Sequence, residues 1–157
     1  MRYAVFIIST CFALIGAPLA ADKQVVLQVT GQIDGAPTQF TLCDLRAMPA
    51  TTLETSTVVT DGVHSFTGVL LRDFLDHLGA TGDIISATAL NDYTVDIPRS
   101  DAENFDVIVG YSMNGMKLDR ADKGPLWIVY PRDSHQELQD IRYDYRWVWQ
   151  LSELEVK

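Results

Sequence analysis

The residues able to do chemistry in this chain are scattered. Its three histidines, His64, His77 and His135, stand in no HxxxH relation, and its two cysteines, Cys11 and Cys43, form no CxxC pair. A zinc centre needs imidazole or thiolate ligands that converge, and these spacings indicate none. Carboxylates are abundant, yet Asp119-Arg120-Ala121-Asp122-Lys123-Gly124 lacks the alternating ligands and terminal Glu of a calcium loop, so it reads as a solvated turn. GxSxG, P-loop and GxGxxG patterns are absent. A Ser-His-Asp set assembled only in space stays open. Two groupings stand out. Asn91-Asp92-Tyr93 falls at an expected hairpin tip, and Arg146 lies among Tyr145, Trp147 and Trp149. Aromatics beside one cation suit a small organic or anionic ligand. The plainer alternative makes Trp147 and Trp149 core anchors and Asn91-Asp92 only a turn.

The chain that must position these residues begins with a leader. Residues 1–21 carry one basic residue (Arg2), an apolar run from Tyr3 to Ile15, then small residues around Pro18. This is the layout of a cleaved secretory signal, the alternative being an uncleaved anchor. The chain is therefore expected in the periplasm, with no stable membrane insertion after cleavage. Removing residues 1–21 from 157 leaves 136, a length that suits one domain over 22–157. Loss of Arg2 leaves 11 basic against 21 acidic residues, a net of −10, which argues against nucleic acid or anionic lipid as a partner. Only Cys43 survives cleavage, so no internal disulfide is available.

The remainder reads as many short strands with a few small helices, an α+β, mostly β domain. Val25–Gly31 and a strand from Thr38 come first. Thr41 with Asp44 forms a capping box for a short helix through Met48. Cys43, in its first turn, is expected to pack as a small buried residue. Thr51–Val59 and His64–Leu70 flank a turn at Asp61-Gly62. Leu71, Phe74, Leu75 and Leu78 make one apolar stripe, ended by Gly79. Ile84–Leu90 and Tyr93–Pro98 meet at Asn91-Asp92. Ser100 and Glu103 form a second capping box. Asp106–Met113 turns at Asn114-Gly115, Pro125–Pro131 is an apolar strand, and the segment from Trp147 to Val156 closes the fold. On an alternating strand Arg146 would share a face with Val148 and Gln150.

Four stretches in order, "FTGVLLRDFLDHLGA", "NDYTVDIP", "YSMNGMKLDRADKGPLWIVYP" and "WVWQLSELEV", over roughly residues 64–156, resemble the oxidoreductase molybdopterin-binding domain, the fold of the sulfite oxidase family. The resemblance implies that fold, with a pterin-bound molybdenum held by a cysteine thiolate in the strand before the first stretch. Here that strand is "TLETSTVV", and residues 51–63 contain no sulfur. A hydroxyl such as that of Thr57 is a hard, weak ligand in place of a soft thiolate. The family's H-G-x-P-L-R becomes Asp122-Lys123-Gly124-Pro125-Leu126-Trp127, with Asp and Trp where His and Arg are expected. Of two terminal lysines, the first matches Arg146 and the second falls on Trp149. Cofactor-loaded members exported folded use a twin-arginine signal, and Arg2 stands alone.

These departures imply a periplasmic binding or interaction module, free of cofactor and without catalytic residues, that presents a ligand to a membrane sensor. Its expected ligand-binding residues are Asn91, Asp92, Tyr93, Lys123, Trp127 and Arg146, with Arg146 as the anchor for an anion or an acidic patch. The alternative is a molybdopterin-dependent oxidoreductase of the sulfite oxidase type, so whether the chain is an enzyme stays open.

Overall fold

A computed structural model describes residues 23–157. The leader expected at residues 1–21, and with it the domain boundary, lies outside the described residues. Among those residues two five-stranded sheets form the fold. One runs β2–β1–β10–β5–β6 and the other β3–β4–β7–β8, with β9 paired to β7. The strands are β1 (Val25–Gly31), β2 (Thr38–Thr41), β3 (Thr51–Thr57), β4 (Thr60–Leu70), β5 (Ile84–Ala89), β6 (Thr94–Pro98), β7 (Ile108–Met113), β8 (Met116–Lys117), β9 (Trp127–Val129) and β10 (Leu151–Val156). The short helices are α1 (Leu42–Ala47), α2 (Leu71–His77), α3 (Arg99–Asn104) and α4 (Ile141–Asp144). This is the mostly β, α+β architecture that the strand pattern implies. No described helix is long and apolar enough to cross a membrane.

Local chemistry explains most boundaries. Thr41 accepts from the Asp44 amide at 3.2 Å while Asp44 accepts from the Thr41 amide at 2.7 Å, so α1 starts on a reciprocal cap. The Thr41 hydroxyl, which donates to Asp44 Oδ2 at 2.7 Å, and then the Thr41 amide hold the Asp44 carboxyl below its ordinary pKa. In α1 the buried face is taken by Leu42 and Leu45. Cys43, one position past Leu42 and about 100° round the helix, is exposed. The expected packed thiol is therefore corrected by the phase of a helix too short to bury two faces.

The β3–β4 connection is also a correction. Its turn is Val58-Val59, with Thr57 opposite Thr60. Their hydroxyls bond each other at 2.7 Å, and the Val59 amide donates to Thr57 Oγ1 at 3.1 Å. The pairing jumps from Ser56↔Val63 to Thr57↔Thr60, so Asp61 and Gly62 are extra residues within β4. Gly62, at φ +76°, relieves that bulge instead of making the turn. The Asn114-Gly115 hairpin forms as expected, both residues having positive φ. The Ser100–Glu103 box does not form. α3 begins after Pro98 with no side-chain cap, and Glu103 instead accepts from Arg99 Nε at 3.1 Å.

One apolar cluster draws on both sheets. Its largest buried side chains include Trp127, Trp147, Tyr130, Phe66 and Phe74. Gly68 lets β4 and β7 approach, since a Cβ there would lie 2.2 Å from Val109 O.

Candidate functional site

The segment between α4 and β10 builds the site, and it is not the strand that alternation suggested. Asp140 caps α4 by accepting from the Arg142 amide at 2.9 Å, and the Arg142 side chain folds back onto the same carboxylate. β10 starts only at Leu151, after Gln150 at φ +52°. Tyr145 to Gln150 are thus free to send neighbouring side chains in unrelated directions.

Arg146 turns inward. Its Nη1 donates to Asp101 Oδ2 at 2.5 Å, and the Tyr130 hydroxyl donates to the same oxygen at 2.8 Å. Asp101 lies on α3 with 5% of its surface exposed, and Tyr130 has none exposed. The guanidinium carbon stands 4.8 Å from the Tyr143 ring centroid and 5.5 Å from that of Tyr145. Burial opposes the Arg146 charge, but hydrogen bonds with Tyr145 and Asp101 and the Asp101 charge outweigh it and raise its pKa. Burial first, then the Asp101 charge, pushes the Tyr130 phenol up, which keeps it a protonated donor. Trp147 packs beside Tyr130, with ring centroids 5.9 Å apart, and meets Trp127 at 6.5 Å.

The same segment lines a cleft of about 230 Å³, with Asp144, Tyr145, Trp147 and Trp149 facing Asn91 and Tyr93 from the β5–β6 loop. The Tyr93 hydroxyl donates to the Tyr145 carbonyl at 3.2 Å, which ties the loop to the segment, and within the loop Asn91 Oδ1 accepts from the Tyr93 amide at 3.2 Å. Trp149 is 39% exposed although its backbone bridges to Trp127. Asp144 is half-buried, and its Oδ1 is buried without a hydrogen-bond partner.

Of the residues singled out from sequence, Asn91 and Tyr93 line this cleft, and Asp92 sits between them at φ +65°, exposed. Arg146 is adjacent, but the carboxylate it meets is internal. Lys123 pairs with its neighbour Asp122 at 2.8 Å and does not line the cleft. Trp127 has no exposed surface, because β9 is covered on both faces and the indole packs against Phe66 and Trp147. Sequence reasoning missed Asp101 and Asp144. Asp101 is surrounded in sequence by helix-start residues, and Asp144 lies in a four-residue helix too short to show a period. No local signal distinguishes either from a solvated carboxylate.

The model of the oxidoreductase molybdopterin binding domain matches residues 15–136. The terminal Arg146-to-Trp149 pattern lies beyond that match. No curated protein matches the chain. Among solved structures, the sulfane dehydrogenase SoxCD from Paracoccus pantotrophus aligns with a TM-score of 0.66 at 19% identity, over 89% of this chain and 39% of that one. At this identity the likeness concerns the fold, and the present chain spans well under half the length of that relative.

The residues present do not fit a thiolate-ligated molybdenum pterin. β3, where the ligand is expected, carries inward hydroxyls already engaged: Thr55 Oγ1 donates to the Ser56 carbonyl at 3.1 Å and accepts from the Asp133 amide at 3.3 Å, while Thr57 bonds Thr60. Asp133 also clamps this strand by accepting from the Ser56 amide and hydroxyl, both at 2.6 Å. The cations that would meet a pterin phosphate, Arg146 and Lys123, are paired with carboxylates. Cys43 lies on α1, outside that strand. Among the described residues, no group of three or more His, Cys, Asp or Glu is placed to hold a metal ion.

Proposed function

The chain belongs to the oxidoreductase molybdopterin-binding domain family, and from that premise we propose that it has kept the fold as a cofactor-free, non-catalytic binding module. It acts in the periplasm, holds a small ligand in the cleft between the β5–β6 loop and the segment 144–149, and presents it to a membrane sensor. The observation that carries this reading is that β3 has no sulfur where the family places its thiolate, and its inward hydroxyls are already engaged by Ser56, Asp133 and Thr60. The cleft supplies the positive half, since concave, largely aromatic sites with a few polar groups are where small molecules bind.

Family membership is the specific observation for the second reading, a molybdopterin-dependent oxidoreductase. Metal and pterin analysis of protein purified from its native compartment separates the two. The binding-module reading expects molybdenum and tungsten far below stoichiometric levels and no fluorescent pterin after acid oxidation. One molybdenum per chain would replace it with the oxidoreductase.

A further inference from the structure

We infer that the ligand of this cleft is an organic cation, of the methylated ammonium or guanidinium class. The inference rests on the binding-module reading and assigns its ligand class, opposite in sign to what Arg146 suggested in sequence.

Charge bookkeeping around the cleft decides the sign. Arg146 is matched by Asp101, Arg142 by Asp140 and Lys123 by Asp122. Asp144 in the wall and Asp92 between Asn91 and Tyr93 have no ion pair among the described residues. Arg120 and Arg132 also lack an ion pair among the described residues but do not line the cleft, so Asp144 is the one charged side chain in its lining, in a chain whose net charge is −9. An anion would enter against that field, while a cation is drawn in by it.

The walls decide that the cation is organic. Tyr93 and Trp149, 47% and 39% exposed, both line the cleft, while the Tyr145 ring beside them already has the Arg146 guanidinium 5.5 Å from its centroid. Aromatic faces attract a cation through their quadrupole, most strongly when the ion is weakly hydrated and sheds water cheaply. A hard metal ion would need several oxygen ligands, and one wall carboxylate does not supply them. Asp144 lines the cleft while its Oδ1 is buried without a hydrogen-bond partner, so the carboxylate's charge is left for a guest in the cleft to offset.

The test uses three probes of nearly one shape: choline, its neutral carbon isostere dimethylbutanol, and the anion dimethylbutanoate. Each is titrated into the purified protein by calorimetry and tryptophan fluorescence. Choline is expected to bind about tenfold or more tightly than the alcohol, with the carboxylate weakest. Asp144→Asn should remove most of choline's advantage and leave the alcohol unchanged. Asp144→Glu should restore part of it, and Trp149→Ala should weaken choline and alcohol together. Dimethylbutanoate binding most tightly, or choline and alcohol binding equally, would overturn the cation inference and leave the binding module standing. Absence of saturable binding by all three would overturn it as well, and the module itself is then judged by molybdenum content.

Discussion

Arg146 and Asp144 sit two positions apart, one basic and one acidic, and the protein treats them in opposite ways. Arg146 is drawn into a closed pillar in which Asp101, Tyr130, Tyr143 and Trp147 surround it, and Asp101 Oδ2 accepts from both the guanidinium and the Tyr130 hydroxyl. Asp144 borders an open cleft and keeps an oxygen without one. Burying a charge is tolerable when it is paired and costly when it is not. The pillar is therefore what folding stabilises, and the cleft is what folding leaves for something else to complete. One short segment serves both because it is neither a long helix nor a strand, so its side chains follow no period.

This contrast predicts a large effect for Asp101→Ala. It strands the Arg146 guanidinium and the Tyr130 hydroxyl at once, and removing one partner of a buried pair costs about 3–5 kcal/mol. Because the Arg146 side chain keeps 16% exposure and can recover some water, the lower end of that range is expected from urea unfolding. A loss under about 1 kcal/mol would break the comparison and make Arg146 available to a ligand after all.

A smaller effect comes from Tyr130→Phe, which removes one charged hydrogen bond but leaves Asp101 with Arg146. About 1.5 kcal/mol is expected. The same phenol gives a pH signature. Its folded pKa is raised above the unfolded value near 10, so its contribution is complete below about pH 10 and is lost as pH rises toward the folded pKa. Stability of the wild type should therefore fall more steeply above about pH 10 than that of Tyr130→Phe. Parallel alkaline limbs would show that the phenol is not held by this environment.

How much of this was legible in the sequence follows from how local each determinant is. The α1 cap needs only Thr41 and Asp44, the α2 stripe only four apolar residues at helical spacing, and the Asn114-Gly115 turn only two residues tolerant of positive φ. All three form as read. The β3–β4 turn was misplaced because Asp61-Gly62 is a strong local turn signal, overridden by the Thr57–Thr60 pair and the register the sheet requires. The pillar was invisible for a further reason. Asp101 and Arg146 are 45 positions apart, and nothing near either one announces the other. The cleft was half legible: Asn91 and Tyr93 could be placed by their turn, whereas Asp144 could be placed only once the segment's path was known.

The smallest expected effect is that of Trp149→Ala, and it is also the sharpest test, because it can be set against the same residue type at a buried position. Trp147 is 1% exposed and packed edge-on to Trp127 and tilted against Tyr130, whereas Trp149 is 39% exposed and contributes a wall of the cleft. Truncating a buried tryptophan removes its transfer free energy and leaves a cavity, so Trp147→Ala should cost about 3–5 kcal/mol. Truncating Trp149 opens no internal void, and its backbone bridge to Trp127 does not require the indole. Trp149→Ala should therefore cost about 1 kcal/mol or less, since substitutions away from packed features change stability little. The measurement is a pair of urea titrations with unchanged slopes, because a change in slope would mean that the unfolded state had changed as well. If Trp149→Ala proves as costly as Trp147→Ala, the cleft wall is part of the core and its openness serves no guest. If it is cheap yet abolishes the difference between choline and its neutral isostere, stability and recognition are separated within three residues of chain.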